Sequence, residues 1–338
     1  MKQVKILGKR QVGLIDVPDP KAIANWAVVK IHATPMCNEY HAFEEGNCCS
    51  GFGHEAAGEV VEVAQPCRVK VGDRVVVQPE YSCGKCRLCV QGDFIHCQNS
   101  YDFTSFTGSE TGSATYAQYI VKPDWLLSPI PDDVTYEHAS LACCALGPSF
   151  GAFDMMKLDS FDTVLITGLG PVGMGAIVNA AYRGARIIAI DSIPWRMEYA
   201  KALGAEVVLD GSSENVVGQI REVTDGHGAD KTIDCSGSPK AHRVCIEGTG
   251  VKGIVGFVGQ CSDATPVYIS GDLIGPGRTL FGAWHYNLNL FPSIMQVIQQ
   301  SPVIDRLVTH IFPMSQVQKA FEVSASHECA KIILKPWE

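Results

Sequence analysis

Four cysteines stand close together in the first third of the sequence, with the spacing C-x2-C-x2-C-x7-C: Cys83, Cys86, Cys89 and Cys97. Four thiolates at such short spacing can surround one tetrahedral zinc ion, and four sulfur ligands leave no coordination position for a substrate. We therefore predict a structural zinc site in a lobe formed by residues 80–100. An iron–sulfur cluster and four unrelated thiols are the alternatives, although the Cys-Pro ending of bacterial ferredoxin motifs is absent.

A second set of possible metal ligands is spread widely along the chain: Cys37, His54, Glu55 and Cys144. Two thiolates and one imidazole leave the fourth zinc position open to water, an alcohol oxygen or the neighbouring carboxylate, which is typical of a catalytic zinc site. Each residue also has a simpler interpretation, Cys144 as a small core residue and His54 with Glu55 as a surface pair. Spacing alone leaves both interpretations open.

The second half of the chain contains a glycine-rich turn between a predicted strand and a predicted helix. An apolar, β-branched run at residues 163–167 precedes a G-x-G-x-x-G sequence, and a helical pattern follows as far as Arg183. Glycines here let the backbone approach a pyrophosphate, and the free N–H groups at the helix start favour its negative charge. The turn residues expected to contact a dinucleotide are Gly168, Gly170, Pro171, Val172 and Gly173.

An acidic residue, Asp191, ends the next predicted strand, 18 residues beyond Gly173. A carboxylate at this place accepts hydrogen bonds from an adenosine ribose and repels a 2′-phosphate, so the sequence predicts NAD in preference to NADP. Arg196 is near enough to take part in cofactor binding, for example by stacking on adenine. The alternative for Asp191 is a role as N-cap of the helix that begins near Pro194.

Length and composition indicate two globular domains. The chain has 338 residues, of which 46% are hydrophobic and 19% charged, and this is enough to bury two cores. Beyond residue 163, six strand-like runs separated mostly by helix-length segments predict a doubly wound parallel sheet. The first 150 residues show short alternating strands and Gly/Pro turns, which favour a β-rich domain.

Charge and hydrophobicity exclude some classes of partner. Lys and Arg total 27 against 36 Asp and Glu, so a net charge of -9 gives no electrostatic reason to bind nucleic acid. The first ten residues carry charges inside what would be the apolar segment of a signal peptide, and no apolar run of about 18 residues occurs. We therefore expect no membrane partner and a cytoplasmic location, where 14 cysteines favour metal or catalytic roles.

Together these motifs resemble the zinc-dependent medium-chain alcohol and polyol dehydrogenases, the group that includes sorbitol and threonine dehydrogenases. The resemblance covers nearly the whole chain and rests on the four-cysteine lobe, the glycine-rich turn and residues 53–55, 71–75 and 116–119. It implies an α/β protein with a Rossmann NAD-binding domain at 154–287 and a GroES-like β-rich catalytic domain at 1–153 and 288–338. It also implies a homodimer or homotetramer.

The same resemblance implies roles for individual residues. Cys37 and His54 match the first two ligands of a catalytic zinc ion, and Glu55 matches a carboxylate that binds the zinc or stands behind it. Cys144 matches the third ligand, with the adjacent Cys143 as its rival.

The predicted proton relay departs from the family pattern. The segment 37–41 is one residue shorter than usual, and Asn38 stands where a Ser or Thr hydroxyl normally passes on the alcohol proton. The resemblance implies that His41 is the outer relay residue. Because the Asn38 amide does not readily pass a proton, we expect a water, Tyr40 or Glu39 to bridge the gap to His41.

These assignments predict a zinc-dependent oxidoreductase with two zinc ions per chain, one catalytic and one structural. It would transfer hydride between a secondary alcohol or polyol, such as a sugar alcohol or cyclitol, and NAD held against Val258 and Gly259. One alternative is a threonine or amino-alcohol dehydrogenase, with Arg278 as the candidate residue for binding an acidic group. Another is a non-catalytic nucleotide-binding zinc or redox sensor, with Cys48 and Cys49 as a reactive pair. A third alternative, zinc-free quinone or enoyl reduction on the same fold, would not require Cys37, His54 or the two groups of cysteines.

Overall fold

The computed structural model describes residues 1–47 and 51–338, and the chain divides into two compact units. The first unit comprises Met1–Cys144, Asn287–Gln300 and Val308–Glu338, and the second comprises Ala145–Tyr286 and Ser301–Leu307. The sequence-based boundary between residues 153 and 154 falls inside a helix, Gly147–Met156.

The first unit begins with strands joined by turns and short helices. In chain order these are β1 (Lys2–Gly8), β2 (Gln11–Asp16), β3 (Trp26–Pro35), α1 (Tyr40–Glu45), β4 (Ala56–Val63), β5 (Arg74–Val77), α2 (Arg87–Val90), α3 (Phe103–Thr107), β6 (Tyr119–Pro123), β7 (Leu127–Pro129) and α4 (Tyr136–Ser140). The long strand β3 is largely buried and pairs antiparallel with both β4 and β6. Its valines and isoleucine suit this position because β-branched side chains pack well on a pleated surface.

The second unit alternates helices and strands. Its elements are α5 (Gly147–Met156), β8 (Thr163–Thr167), α6 (Pro171–Tyr182), β9 (Arg186–Asp191), α7 (Pro194–Leu203), β10 (Val207–Asp210), α8 (Val216–Glu222), β11 (Ala229–Asp234), α9 (Pro239–Gly248), β12 (Thr249–Phe257) and β13 (Thr279–Gly282). All pairings in this sheet are parallel and the strand order is β10-β9-β8-β11-β12-β13, which confirms the predicted doubly wound sheet. The strand order reverses between β8 and β11, so the carboxyl ends of these strands form the usual ligand-binding crevice.

The chain then returns to the first unit. The returning elements are α10 (Phe291–Gln300), β14 (Val308–Pro313), α11 (Val317–Ala325) and β15 (Lys331–Lys335). Strand β15 pairs antiparallel with the end of β3, where Leu334 lies opposite Thr34, and β14 runs parallel to β15. The last strand therefore brings Lys331 beside the end of β3, and the β-rich architecture predicted for this unit is confirmed.

The apolar runs of the second unit become central strands because both of their faces are covered. Residues 164–167 of β8 are buried, and helices α6 and α9 both pack on that strand. Continuous burial of this kind is typical of parallel strands between helical layers. Among the described residues, no helix is both long enough and apolar enough to cross a membrane.

Candidate active site

The four cysteines of the lobe converge on one point. The Sγ–Sγ distances are 3.9 Å for Cys83–Cys89, 3.5 Å for Cys86–Cys89 and 3.9 Å for Cys86–Cys97. Two thiolates on one tetrahedral zinc ion lie about 3.8 Å apart, so the donors fit zinc. Backbone N–H groups of Cys83 and Asn99 donate to the sulfur of Cys97, and that of Cys86 to the sulfur of Cys83.

Backbone hydrogen bonds favour the thiolate form of Cys86 in this lobe. Donation from the peptide of Cys89 is the main cause that lowers the pKa of Cys86 to about 6. Metal binding requires deprotonated cysteines, so a lowered thiol pKa assists it at neutral pH. Gly84 has a positive φ of 73°, a conformation that lets the chain turn between the first two cysteines.

The dispersed set also converges, at the ends of three elements of the first unit. Cys37 follows β3, His54 and Glu55 precede β4, and Cys144 follows α4. Because β3 and β4 pair antiparallel, the end of one lies beside the start of the other. The donor atoms of all four residues lie within 4.8 Å of one another. The predicted set is therefore assembled by strand pairing rather than by sequence proximity.

Three of these donors have the spacing of zinc ligands. Sγ of Cys37 lies 3.7 Å from Sγ of Cys144, which lies 3.4 Å from Nε2 of His54. Tetrahedral zinc places two sulfurs about 3.8 Å apart and a sulfur and a nitrogen about 3.5 Å apart. Hydrogen bonding with Cys144 is the main cause that holds the pKa of Cys37 well below its ordinary value. The donor set fits zinc.

The rival ligand Cys143 points elsewhere. Its sulfur lies 3.5 Å from the backbone oxygen of Val77 and 3.9 Å from Oε1 of Gln78. Burial raises the pKa of this thiol, as expected for a core cysteine.

Glu55 is buried behind the three donors and uses both carboxylate oxygens. Oε1 accepts a hydrogen bond of 2.5 Å from Nζ of Lys331, and Oε2 accepts one of 3.1 Å from the backbone N–H of Cys144. Burial raises the pKa of Glu55 to about 7 in spite of the lysine. Sequence reasoning did not assign Lys331 to the site. A lysine at the start of an otherwise apolar strand could have indicated a buried charge with an acidic partner.

Glu39 lies behind His54. Its Oε2 accepts hydrogen bonds of 2.8 Å from the backbone N–H of Cys37 and 2.8 Å from the hydroxyl of Tyr116, and its Oε1 is 3.2 Å from Nδ1 of His54. Burial acts to raise the pKa of Glu39, but hydrogen bonding and attraction to His54 prevail and lower it to about 2. A carboxylate engaged in this way orients a histidine ligand, a role that sequence reasoning did not assign to it.

The other two predicted relay residues lie at the surface. Asn38 and His41 are exposed, and the backbone N–H of His41 donates to the carbonyl of Asn38. The His41 ring lies against Tyr40, with ring centroids 4.1 Å apart.

The glycine-rich turn has the close contacts that require glycine. A Cβ on Gly173 would lie 1.9 Å from the carbonyl oxygen of Gly168, and Gly168 itself has a φ of 78°. A Cβ on Gly170 would meet nothing closer than Arg196 at 3.8 Å, so this residue leaves room for a ligand. Pro171 begins α6, and Val172 follows it in the first turn.

The Asp191 carboxylate is held against this turn. It accepts hydrogen bonds from the backbone N–H groups of Leu169 at 2.6 Å, Ser192 at 2.8 Å and Ile193 at 2.9 Å. The N-cap of α7 is Ile193, so Asp191 is not that cap residue. Nη1 of Arg196 lies 3.9 Å from the carboxylate.

The end of β12 is tied to the end of β11. The N–H groups of Val258 and Gly259 both donate to the carbonyl of Asp234. A Cβ on Gly259 would lie 2.2 Å from the backbone nitrogen of Gly237, so the two chain segments can approach only with glycine here.

Two alternatives raised by the sequence concern Arg278 and the pair Cys48 and Cys49. Arg278 donates to the backbone carbonyls of Thr249, at 2.6 and 3.0 Å, and Gly250, at 3.1 Å, which gives it a structural role. Cys48 and Cys49 lie outside the described residues.

Comparison with known proteins is consistent with this arrangement. Residues 23–132 match the alcohol dehydrogenase GroES-like domain, and residues 171–300 match the zinc-binding dehydrogenase domain. An uncharacterized zinc-type alcohol dehydrogenase-like protein of Escherichia coli (strain K12) is 30% identical over 97% of this chain and 96% of its own length. The chain belongs to the zinc-dependent medium-chain dehydrogenases.

Further relatives of this dehydrogenase support the assignment. An L-threonine 3-dehydrogenase of Caldanaerobacter subterraneus subsp. tengcongensis is 29% identical over 98% of both chains. The structure of the alcohol dehydrogenase TADH from Thermus sp. ATN1 is similar with a TM-score of 0.88 and 25% identity, covering 99% of both chains. The dehydrogenase is therefore an oxidoreductase of the alcohol dehydrogenase type that uses zinc and a nicotinamide cofactor.

Proposed function

We propose that this dehydrogenase oxidises a secondary alcohol or polyol reversibly with NAD, and that each chain binds two zinc ions. The observation that carries the proposal is the convergence of Cys37, His54 and Cys144 at the spacing of zinc ligands. Three protein ligands leave one position for a substrate oxygen, whereas the four-cysteine lobe would bind a structural ion.

Zinc bound by Cys37, His54 and Cys144 would supply a Lewis acid that lowers the pKa of an alcohol hydroxyl. The carboxyl group of Glu55 lies behind these ligands, and Lys331 keeps it in place. We assign proton release to His41, because its exposed ring can deliver a proton to water. Glu39 is left out of this relay because its two oxygens are already engaged.

NAD, rather than NADP, is supported by the fixed position of Asp191. Three backbone N–H groups hold the carboxylate beside the glycine-rich turn, so it cannot swing away from an incoming 2′-phosphate. Its remaining lone pairs are available to ribose hydroxyls. We assign Val258 and Gly259 to the nicotinamide half of the cofactor.

The choice between polyol and threonine depends on the residues that could bind a carboxylate. Relatives named L-threonine 3-dehydrogenase are about 29% identical to this chain, which keeps threonine among the candidates. Arg278, however, already donates to backbone carbonyls, and Lys331 is paired with Glu55. We therefore favour an uncharged polyol or secondary alcohol over an amino acid.

Metal content and turnover test this function together. Wild type, Cys37→Ser and Cys86→Ser would be compared by elemental analysis, thermal unfolding and NAD reduction with secondary alcohols, polyols and L-threonine. We expect two zinc ions in wild type. Cys37→Ser should lose one ion and all turnover while keeping its melting temperature, and Cys86→Ser should lose the other ion and melt lower. Retention of both ions in Cys37→Ser, or wild-type turnover with a single ion, would contradict the proposal.

A further inference from the structure

Tyr116 is a fully buried residue beside the proposed catalytic metal site. Its ring packs in a core that includes Phe321, with ring centroids 6.3 Å apart. Its hydroxyl donates a hydrogen bond of 2.8 Å to Oε2 of Glu39. A buried phenol normally has a hydrogen-bond partner. Here the partner is Glu39, which also contacts the proposed metal ligand His54.

The backbone of Tyr116 also supports the segment that carries His54. The N–H of Tyr116 donates to the carbonyl of Phe52, and that of Thr115 donates to the carbonyl of Gly53. A Cβ on Gly53 would lie 2.4 Å from the Tyr116 ring and 2.3 Å from the hydroxyl of Thr115. The residue before His54 therefore packs directly on Tyr116.

Glu39 connects the phenol to the metal ligands. One carboxylate oxygen accepts from both the Tyr116 hydroxyl and the backbone N–H of Cys37, and the other oxygen lies 3.2 Å from Nδ1 of His54. With Nδ1 directed at this carboxylate, Nε2 is the nitrogen that faces Cys144. Outer hydrogen bonds of this kind set the tautomer and ring orientation of a histidine ligand.

We propose that Tyr116 is a positioning residue for the catalytic metal, because its hydroxyl fixes the Glu39 carboxylate that orients His54. This inference rests on the proposed function, since it requires a metal at Cys37, His54 and Cys144. Without the hydroxyl, Oε2 of Glu39 keeps only its bond to the backbone N–H of Cys37, so the carboxylate and the His54 ring that it contacts are held less firmly. Metal affinity should fall without loss of any ligand.

Tyr116→Phe tests this directly, because it removes one oxygen atom and leaves the packed ring. Tyr81→Phe is a matched control in the same unit, since that hydroxyl donates to the backbone carbonyls of Ser113 and Val121 instead. Metal affinity would be measured by competition with a chromophoric chelator. Ligand geometry would be read from the visible spectrum after cobalt(II) replaces the exchangeable ion.

We expect Tyr116→Phe to bind the exchangeable ion about 10- to 100-fold more weakly and to change the cobalt spectrum. Tyr81→Phe should match wild type, and the lobe ion should stay bound in both. In a Glu39→Ala background, Tyr116→Phe should have no further effect, because the hydroxyl acts through that carboxylate.

Equal affinity and an unchanged cobalt spectrum in Tyr116→Phe would overturn the inference. So would a Tyr116→Phe chain that no longer folds, because the hydroxyl would then be structural. Failure of the proposed function looks different: Cys37→Ser would keep both ions whatever residue 116 is.

Discussion

Lys331 and Glu55 form an ion pair with both side chains fully buried in the first unit. Removing one partner of a buried pair leaves the other charge without compensation, which costs about 3–5 kcal/mol. We expect Lys331→Met to lower the free energy of unfolding by about that amount in urea titrations. Lys331→Met combined with Glu55→Gln should recover most of the loss, because no unpaired charge remains. Equal stability of Lys331→Met and wild type would show that the pair contributes nothing.

Asp191 is expected to select the cofactor. We predict that Asp191→Ser weakens NADH binding about 10-fold, because hydrogen bonds to a charged group are worth about 1.5–3 kcal/mol. NADPH should bind better than it does to wild type, since the repelling carboxylate is gone while Arg196 remains nearby. The measurement is the ratio of the NADPH and NADH dissociation constants, obtained from cofactor fluorescence. General damage to the turn would weaken both cofactors alike and would leave this ratio unchanged. Asp154→Ser, at a half-exposed residue, is the control, and an unchanged ratio in Asp191→Ser would refute the assignment.

At the scale of elements, strand β6 contains a buried lysine, Lys122, which is only 3% exposed. Its Nζ lies 3.8 Å from the centroid of the Tyr81 ring, and burial lowers its pKa to about 7. The unfolded chain keeps the ordinary pKa of 10.5 and therefore binds more protons than the folded chain between these two values. Stability that depends on Lys122 should rise with pH across that interval.

Lys122→Met removes this dependence and keeps an extended apolar side chain. We expect the variant to be more stable than wild type, by at most about 5 kcal/mol at and below pH 7. The difference should shrink steadily as the pH rises toward 10, because wild type no longer has to bury a charge. Thermal unfolding of both proteins over this pH range checks the prediction, and a difference independent of pH would contradict it.

At the scale of the whole molecule, strand β13 ends the parallel sheet. Within the described part of the chain it pairs only with β12, so one row of its backbone groups has no strand partner. Val251 and Ile274 of the same unit are 75% and 71% exposed. Exposed sheet edges with apolar neighbours favour pairing with another chain. We propose that two copies associate through this edge.

Light scattering should then give a molar mass of at least twice the chain mass of 36.5 kDa. The double variant Val251→Asp, Ile274→Asp should shift the protein toward the mass of one chain, because association would bury two carboxylates. Phe161→Asp is the control, since that residue is 95% exposed in a loop outside the sheet. A wild-type mass of one chain at all concentrations would rule out the dimer.

Features confined to a short stretch of chain could be predicted in detail. The lobe cysteines lie within 15 residues, and the turn at 168–173 combines strand, glycines and helix start in one segment. Such short segments can adopt few backbone conformations, so the spacing of the residues restricts where the cysteine sulfurs and the glycine turn can lie. The parallel sheet of six strands followed from a similarly local signal, the alternation of strand-like and helix-length segments.

Other parts of the site could not be predicted because they depend on the direction of individual side chains. Cys143 and Cys144 are adjacent in sequence, yet only Cys144 faces Cys37 and His54. Arg278 has the charge needed to bind an acidic group, yet its guanidinium donates to backbone carbonyls. Adjacent residues in a turn point their side chains in different directions, and the spacing of residues in the sequence does not specify these directions.

The sequence by itself determined the metal-binding and nucleotide-binding chemistry, because the ligand types and the glycines are encoded within short segments. Spacing left open whether Cys37, His54, Glu55 and Cys144 share one site, and the tertiary structure decided that they do. Antiparallel pairing of β3 with β4 and β15 brings together the ends of strands that are remote in the chain, and so sets Lys331 on Glu55. The burial of Glu39 between Tyr116 and His54 likewise follows from packing, which no local pattern encodes.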